Sequence, residues 1–324
     1  MRRTTRSPSA LLVAAFAAFM LVIAGCGEEE GTGSGGSIPA DALKGKSITV
    51  GSKDSTEQKL LAVITIQVLK AAGATVKDKT GLVGNVAARE ALTSGDIDLY
   101  WEYTGTAWVT YLKEKAIPDE RKQYQAVAAK DLEVNKIRWL EPAPANNTYT
   151  FAVKSESYER FGVRKISDFE TLISTIPGEA SVCVGEQFST RKDGLPGVEK
   201  AYAFKFPKVV KLEAEGLIYG EINQGVDKGG TCNFGQVSIT DGRISPNNLR
   251  TIEDDKDFFP KNNPALNVRE EVLKANPQLE AIFRPIAAKL DSKKLQDLNA
   301  EVEVNGVPDD KVVQEWLKDE GFIG

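Results

Sequence analysis

The stretch ITVGSKDSTEQKLLAVITIQVLKAAGATVK, residues 48–77, reads as a strand, a turn, a helix and a second strand in one run. A helix over about residues 56–72 is indicated by apolar residues that recur at positions 60, 61, 64, 68 and 69, and Gly73 ends it. The same alternation continues with a helix over residues 86–93 and a strand over residues 97–100. This order predicts an α/β fold with a mostly parallel sheet, whose ligand sites lie beyond the carboxyl ends of the strands.

A second set of strands and helices begins near residue 149. The chain is longer than one hydrophobic core usually serves, so two lobes are expected. The predicted boundaries are residues 46–147 plus 246–324 for lobe 1 and residues 148–245 for lobe 2. The chain would then cross between the lobes near Asn147 and Ser245, and a hinge of this kind creates an interlobe ligand cleft.

The first 25 residues have the pattern of a signal peptide, with three arginines, an apolar run from Ala10 to Ala24 and a small residue before Cys26. The sequence Ile23-Ala-Gly-Cys26 looks like a bacterial lipobox, whose cysteine is lipidated after cleavage. Residues 26–45 then form a flexible, lipid-anchored tether, because their first part is rich in Gly, Ser and Glu. We expect the protein on the outer face of the cytoplasmic membrane; the alternative is a secreted protein with an incidental cysteine.

Two cysteines, Cys183 and Cys232, remain beyond the lipobox. In an oxidising compartment they are expected to form one disulfide, and the alternative is a pair of buried free thiols. Without the three signal-peptide arginines the chain carries 38 basic and 46 acidic residues. This acidic balance argues against nucleic acid as a partner.

The chain contains no histidine, which excludes Ser-His-Asp and Cys-His nucleophiles and His-ligated zinc. We therefore expect no metal, no cofactor and no enzymatic activity. The remaining enzymatic alternative is a carboxylate-based exported hydrolase, for which Asp96, Asp98 and Glu102 are the acids to consider.

Several polar and aromatic residues follow predicted strands and are candidates for a ligand site. Lys53 lies between a strand and a helix start, where an anion is favoured, although it could also be a solvated lysine. Tyr103 follows the strand that ends near residue 100, and Tyr149 could oppose it from the second lobe; aromatic faces bind ligand cations. Arg191 could hold a carboxylate or lie on the surface. The neighbouring rings, Tyr100, Trp101, Trp108 and Tyr111, are expected in the core.

Six motifs in order carry a resemblance over nearly the whole mature chain: GSKDSTEQ, GDIDLYWEYTGTA, NNTYTFAV, RKDGLPG, TDGRI and EDDKDFFP. The chain resembles the solute-binding lipoproteins of ABC importers for quaternary-ammonium osmoprotectants, the ProX/OpuC type that takes up glycine betaine, choline, carnitine and proline betaine. The resemblance implies a type II periplasmic-binding-protein fold that closes on its ligand. It also implies a monomer that works with permease and ATPase subunits.

The same resemblance implies roles for individual residues. Lys53, Thr106 and Arg191 would hold the ligand carboxylate, whereas Tyr103 and Tyr149 would be walls of an aromatic cage around the ammonium. A backbone carbonyl near Asn147 would contact the cation.

The sequence departs from the family pattern at two cage positions, where Ser238 and Asn262 stand in place of tyrosines. Losing two rings would weaken cation binding by about 1 to 4 kcal/mol unless other rings replace them. The candidate replacements are Phe188, Tyr219 and Phe258. The leading hypothesis is a receptor for a small zwitterionic or cationic amine, and the runner-up is a receptor for a different small polar or aromatic solute.

Overall fold

The structure is a computed structural model that describes residues 36–324, apart from Gly84, Asp193 and the side chains of Asn85 and Gln187. The predicted signal peptide, the lipidation site Cys26 and residues 26–35 of the tether lie outside the described residues. Within the described part of the chain, no helix combines the length and apolar character that a membrane crossing requires.

The described residues form ten strands in two five-stranded sheets. In chain order the strands are β1 (Ser47–Lys53), β2 (Thr75–Leu82), β3 (Leu99–Tyr103), β4 (Ile137–Trp139), β5 (Tyr149–Lys154), β6 (Ser181–Gly185), β7 (Lys208–Leu212), β8 (Phe234–Ser238), β9 (Leu249–Thr251) and β10 (Pro264–Arg269).

The helices lie between the strands along the chain, and the last four follow β10 in succession. They are α1 (Thr56–Ala71), α2 (Asn85–Ser94), α3 (Thr104–Thr106), α4 (Glu120–Asn135), α5 (Ser155–Phe161), α6 (Asp168–Thr175), α7 (Glu186–Thr190), α8 (Leu195–Tyr202), α9 (Gly216–Gln224), α10 (Glu270–Ala275), α11 (Gln278–Ala288), α12 (Ser292–Glu303) and α13 (Asp309–Asp319). The short α3 continues directly into a π-helical turn, Ala107–Tyr111.

The two sheets share one topology. In lobe 1 the strand order is β2-β1-β3-β10-β4, with β1, β2 and β3 parallel and β10 antiparallel to both of its neighbours. In lobe 2 the order is β7-β6-β8-β5-β9, with β6, β7 and β8 parallel and β5 antiparallel to both of its neighbours. The predicted two-lobed α/β architecture is therefore confirmed.

The sheets place the second lobe boundary later than the sequence predicted. The prediction assigned residues 246–324 to lobe 1, but β9 pairs with β5 in the lobe 2 sheet. The chain therefore returns to lobe 1 between β9 and β10, over residues 252–263, rather than near Ser245. The sequence pattern missed this because a three-residue edge strand is too short to show a periodicity.

The aromatic run after residue 99 follows the alternation of a strand buried on both faces. Trp101 packs into the core beneath α1 and α11–α13, where its indole N–H donates to Thr65 at 2.9 Å. Tyr100 lies on the opposite face of β3, in the core that α4 covers. Trp108 and Tyr111 pack against that second core. These four rings are structural, as expected.

Lobe 2 has a core rich in phenylalanine. Its rings meet mostly edge to face, with centroids 4.8 to 5.6 Å apart in the central group, which is the preferred geometry of aromatic pairs. The central group consists of Phe151, Phe169, Phe204, Phe206 and Phe234. Tyr149, at the start of β5, packs against this core.

Cys183 and Cys232 form a disulfide in lobe 2, with their Cα atoms 5.7 Å apart. Cys183 lies within β6, and Cys232 lies just before β8, so the bridge fastens two adjacent strands in the buried core beneath α9. The structure thus has the bridged arrangement and not the pair of free thiols.

We predict that the double substitution Cys183→Ala with Cys232→Ala lowers the free energy of unfolding by about 2 to 4 kcal/mol, because the bridge closes a long loop in the unfolded chain. Urea unfolding with and without reductant checks this. Reductant should lower the stability of the wild type toward that of the variant and leave the variant unchanged. A wild type insensitive to reductant under unfolding conditions would contradict the prediction.

Candidate ligand-binding site

A cleft of about 330 Å³ lies between the two lobes. All eight residues that the sequence nominated for ligand binding line this cleft. Lys53, Tyr103 and Thr106 belong to lobe 1, Asn147 to the first crossover and Asn262 to the second, and Tyr149, Arg191 and Ser238 belong to lobe 2.

Strand pairing explains why these residues meet. The antiparallel register sets Tyr103, at the carboxyl end of β3, opposite Pro264 at the amino end of β10. In lobe 2 the equivalent register sets Tyr149, at the amino end of β5, opposite Ser238 at the carboxyl end of β8. Each crossover therefore enters its sheet at the edge where the parallel strands end, and both edges face the cleft.

Lys53 is more deeply embedded than a carboxylate anchor was expected to be. Its ammonium lies 2.6 Å from Glu102, and both side chains are buried. Glu102 also accepts from the Tyr100 hydroxyl and the Tyr103 backbone N–H, both at 2.7 Å. The charge of Lys53 is thus compensated inside lobe 1, although an ammonium has three donors and this contact uses one of them.

Tyr103 is held by a hydrogen bond at its hydroxyl end. The hydroxyl donates to Glu57 at 2.6 Å, and the Asn147 side-chain amide donates to the same carboxylate oxygen at 2.7 Å. Burial, followed by the adjacent Glu57 carboxylate, raises the pKa of Tyr103 well above its usual range. The phenol is therefore neutral at physiological pH, and its ring forms a fixed wall of the cleft.

The lobe 2 wall contains an aromatic residue that the sequence did not nominate. Tyr149 meets Phe188 and Phe259 edge to face, with centroids 5.5 and 6.4 Å away, and Phe259 itself lines the cleft. Of the three suggested replacement rings, Phe188 and Phe258 lie behind this wall, and Tyr219 lies under the Arg243 guanidinium. Phe258 and Phe259 are neighbours in the sequence, and only their packing distinguishes them.

Asn262 has a specific structural role at one of the missing tyrosine positions. Its side-chain oxygen accepts from the Thr106 backbone N–H at 2.9 Å. The Asn262 backbone N–H donates to the side-chain oxygen of Asn146 at 2.7 Å. The same oxygen would lie 2.5 Å from a Cβ atom at Gly105, so glycine is needed there for the close approach. Asn262 thereby fastens the α3 turn to both crossover segments.

Six polar residues that the sequence analysis did not nominate also line the cleft: Asp54, Ser55, Gln58, Thr110, Thr148 and Glu215. Asp54 and Glu215 contribute exposed carboxylates from opposite lobes. Gln58 is 1% exposed, and neither of its amide atoms makes a hydrogen bond of good geometry among the described residues, although its side chain lies near enough to the Tyr103 hydroxyl to act on the pKa of that group. A buried, unpaired amide is unfavourable, so Gln58 is well placed to bond a polar group of a ligand. Its position in the first turn of α1 gave no signal in the sequence.

The acids required by the hydrolase alternative are not assembled in the cleft. Asp98 pairs with Arg269 at 2.6 Å and accepts from the Thr49 N–H, Glu102 is bound to Lys53, and Asp96 accepts from Ser94. None of Asp96, Asp98 and Glu102 is among the residues that line the cleft. A facing pair of glycosidase carboxylates therefore does not form from these residues.

The two-lobed fold and the cleft between the lobes indicate the class of this protein. They are the features of a substrate-binding protein of a solute importer. Residues 46–319 match the family described as the substrate binding domain of ABC-type glycine betaine transport systems. The chain belongs to this family, and so to transport receptors and not to enzymes.

Named relatives support the assignment. The chain is 35% identical over 289 residues to the glycine betaine-binding protein YehZ of Escherichia coli, covering 88% of this chain and 94% of that protein. It is 33% identical over 295 residues to the glycine-betaine-binding protein of Pseudomonas aeruginosa, covering 89% and 92%. The solved structure of apo YehZ superposes with a TM-score of 0.73 at 34% identity, covering 85% of this chain and 99% of that one. The periplasmic-binding-protein fold implied by the sequence is confirmed.

We predict that Glu102→Gln lowers the free energy of unfolding by about 3 to 5 kcal/mol, because it leaves the buried Lys53 ammonium without its counter-charge. Thermal or urea unfolding measures this. The matched control is Asp41→Ala, which breaks an ion pair with Lys44 that is about three-quarters exposed on both sides; its effect should stay within about 0.5 kcal/mol. Equal effects of the two substitutions would contradict this description of the Lys53 site.

Proposed function

We propose that this protein is the lipid-anchored receptor of an ABC importer and that it binds a quaternary-ammonium osmoprotectant, such as glycine betaine or choline, between its lobes. The observation that carries the proposal is the set of rings contributed to one cleft by both lobes, Tyr103 from one side and Tyr149 with Phe259 from the other. Two relatives in this family are named glycine betaine-binding proteins, and the proposal extends that ligand class to this chain.

The chemistry of the ligand fits aromatic walls. A trimethylated ammonium has no N–H donor, so hydrogen-bond acceptors alone cannot bind it, whereas the negative face of a ring attracts it. Each such contact contributes about 0.5 to 2 kcal/mol, more when water is excluded. Closure of the lobes would bring Tyr149 and Phe259 toward Tyr103 and desolvate the cation between them.

The polar end of the ligand requires donors. Thr106, Arg191 and Gln58 line the same cleft, and Lys53 has donors left beyond its contact with Glu102. A ligand carboxylate or hydroxyl at this end would satisfy the buried Gln58 amide. These residues are the proposed anchors of the polar group, and the Asn147 segment is the proposed contact for the cation.

The partners follow from the same proposal. A receptor of an importer delivers its ligand to permease and ATPase subunits, and it would do so as a monomer tethered to the membrane through Cys26. Ser238 and Asn262 supply no ring at the positions where the family pattern has tyrosine, and Phe259 is the proposed partial replacement.

A receptor for a different small polar or aromatic solute is the second candidate. It is favoured by the cleft carboxylates Asp54 and Glu215, together with the two replaced tyrosines Ser238 and Asn262. A solute that carries amine N–H groups would use these acceptors, whereas a trimethylammonium group would not.

Calorimetric titration of the purified protein with glycine betaine, choline, carnitine, proline betaine and ectoine tests the proposal. We predict micromolar binding of at least one of these ligands, and a loss of roughly 2- to 30-fold in affinity for Tyr103→Ala and for Tyr149→Ala. Tyr158→Ala is the control, because that ring packs against Arg164 in lobe 2, away from the cleft.

No binding of any of the five ligands would reject the osmoprotectant assignment and favour the second candidate. Binding that is unchanged by both cleft substitutions would place the ligand elsewhere on the protein.

A further inference from the structure

Glu57 is a buried carboxylate immediately behind the cleft wall. It belongs to the first turn of α1 and is 6% exposed. The Tyr103 hydroxyl and the Asn147 amide donate to one of its oxygens at 2.6 and 2.7 Å. The Asn299 amide donates to the other oxygen at 3.1 Å. All three donors are uncharged side chains.

These donors come from three separate parts of the fold. Tyr103 ends β3 and lines the cleft, Asn147 belongs to the first crossover between the lobes, and Asn299 lies in α12. Asn299 also donates to the Thr240 carbonyl at 2.9 Å, in the loop that follows β8 of lobe 2. One carboxylate is thus connected to the cleft wall, to a crossover and, through one further side chain, to the opposite lobe.

A second contact in the same place shows that α12 is joined to this loop at more than one point. The Gln296 amide donates to the Ile239 carbonyl at 2.5 Å, and Gly242 lies against the backbone of Asn299 and Ala300 so closely that a Cβ atom there would overlap them. Residues 239–242 of lobe 2 are thus fastened to α12 by two side-chain hydrogen bonds and a close backbone approach. The Asn299 amide that bonds Glu57 is one of these contacts between the lobes.

The charge of Glu57 also acts on the Tyr103 ring. A phenol that donates to a carboxylate becomes more electron-rich, because hydrogen bonds in a chain polarise one another at low dielectric. An electron-rich ring has a stronger attraction for a cation on its face. The carboxylate lies at the hydroxyl end of the ring, so it also adds a direct attraction for a positive charge in the cleft.

We propose that Glu57 is a positioning residue for cation binding: it fixes and polarises Tyr103 and ties that ring to the crossover and to lobe 2. This inference rests on the proposed function, since it concerns the same cleft. It differs from a purely structural role, in which Glu57 would only fill a buried polar site and its loss would weaken all ligands alike.

The discriminating experiment pairs each trimethylammonium ligand with a shape mimic in which carbon replaces nitrogen, so that only the positive charge is removed. Choline is compared with the neutral 3,3-dimethylbutan-1-ol, and the zwitterion glycine betaine with the anion 3,3-dimethylbutanoate, by titration of wild type and Glu57→Gln. We expect Glu57→Gln to weaken binding of the cationic member about tenfold or more and to change binding of its mimic by less than about threefold.

The matched control is Glu303→Gln. Glu303 is the last residue of α12, the helix that carries Asn299, and its carboxylate faces the Arg243 guanidinium at 3.8 Å. We expect this substitution to leave the ratio of the two affinities unchanged. A Glu57→Gln variant that weakens the cation and the mimic by the same factor would overturn the inference.

A double-mutant cycle tests whether Glu57 acts through Tyr103. If it does, Glu57→Gln combined with Tyr103→Phe loses no more affinity for the cation than the more damaging single substitution. Multiplicative losses in the double variant would overturn this part of the inference.

Backbone amide exchange of the ligand-free protein separates failure of this inference from failure of the proposed function. Glu57→Gln should increase exchange in residues 103–106 and 145–149 about tenfold or more relative to Glu303→Gln, whichever ligand the protein takes. A wild type that binds no member of either pair contradicts the proposed function. The exchange result then still decides whether Glu57 ties Tyr103 to the crossover, and equal exchange in the two variants would overturn that tie.

Discussion

The antiparallel insertion of one strand into each otherwise parallel sheet is the constraint on which the site depends. Because β10 runs against β3 and β5 runs against β8, each crossover enters its sheet at the edge where the parallel strands end. That edge is where open α/β sheets present their ligand sites. Two lobes built this way must turn their functional edges toward the same hinge, so cleft and hinge are made from the same short segments.

Two buried carboxylates, Glu57 and Glu102, lie in lobe 1 behind the cleft. Glu102 compensates Lys53, whereas Glu57 bonds only to uncharged donors on Tyr103, Asn147 and Asn299. A buried carboxylate needs such partners to offset its desolvation. The result is a wall in which the Tyr103 ring has the Lys53 ammonium 5.2 Å from its centroid and the Glu57 carboxylate at its hydroxyl end.

Much of the fold could be predicted from the sequence, because it depends on patterns along the chain. The helix over residues 56–72 was expected almost to the residue, and the four rings from Tyr100 to Tyr111 were expected in the core. The second lobe boundary was displaced because β9 has only three residues. The six motifs supplied the family, whose match over residues 46–319 confirms it.

The sequence indicated residues that line the cleft but not the contacts among them. Positions near strand ends indicated Lys53, Tyr103, Tyr149 and Arg191, whereas the family resemblance supplied Thr106, Asn147, Ser238 and Asn262; all eight line the cleft. No local pattern reveals that Lys53 is paired with Glu102, or that Glu57 lies behind Tyr103, because these contacts join residues 46 to 49 positions apart. Phe259 could not be separated from Phe258 for the same reason, since packing alone decides which ring faces the cleft.

The most direct measurement is a crystal structure of the protein with its tightest-binding osmoprotectant. The account predicts a closed cleft with the methylated nitrogen within about 6 Å of the Tyr103 and Tyr149 ring centroids, and with its polar end toward Thr106 and Arg191. A ligand bound away from both rings, or a cleft occupied by a solute whose amine N–H groups bond Asp54 and Glu215, would contradict it.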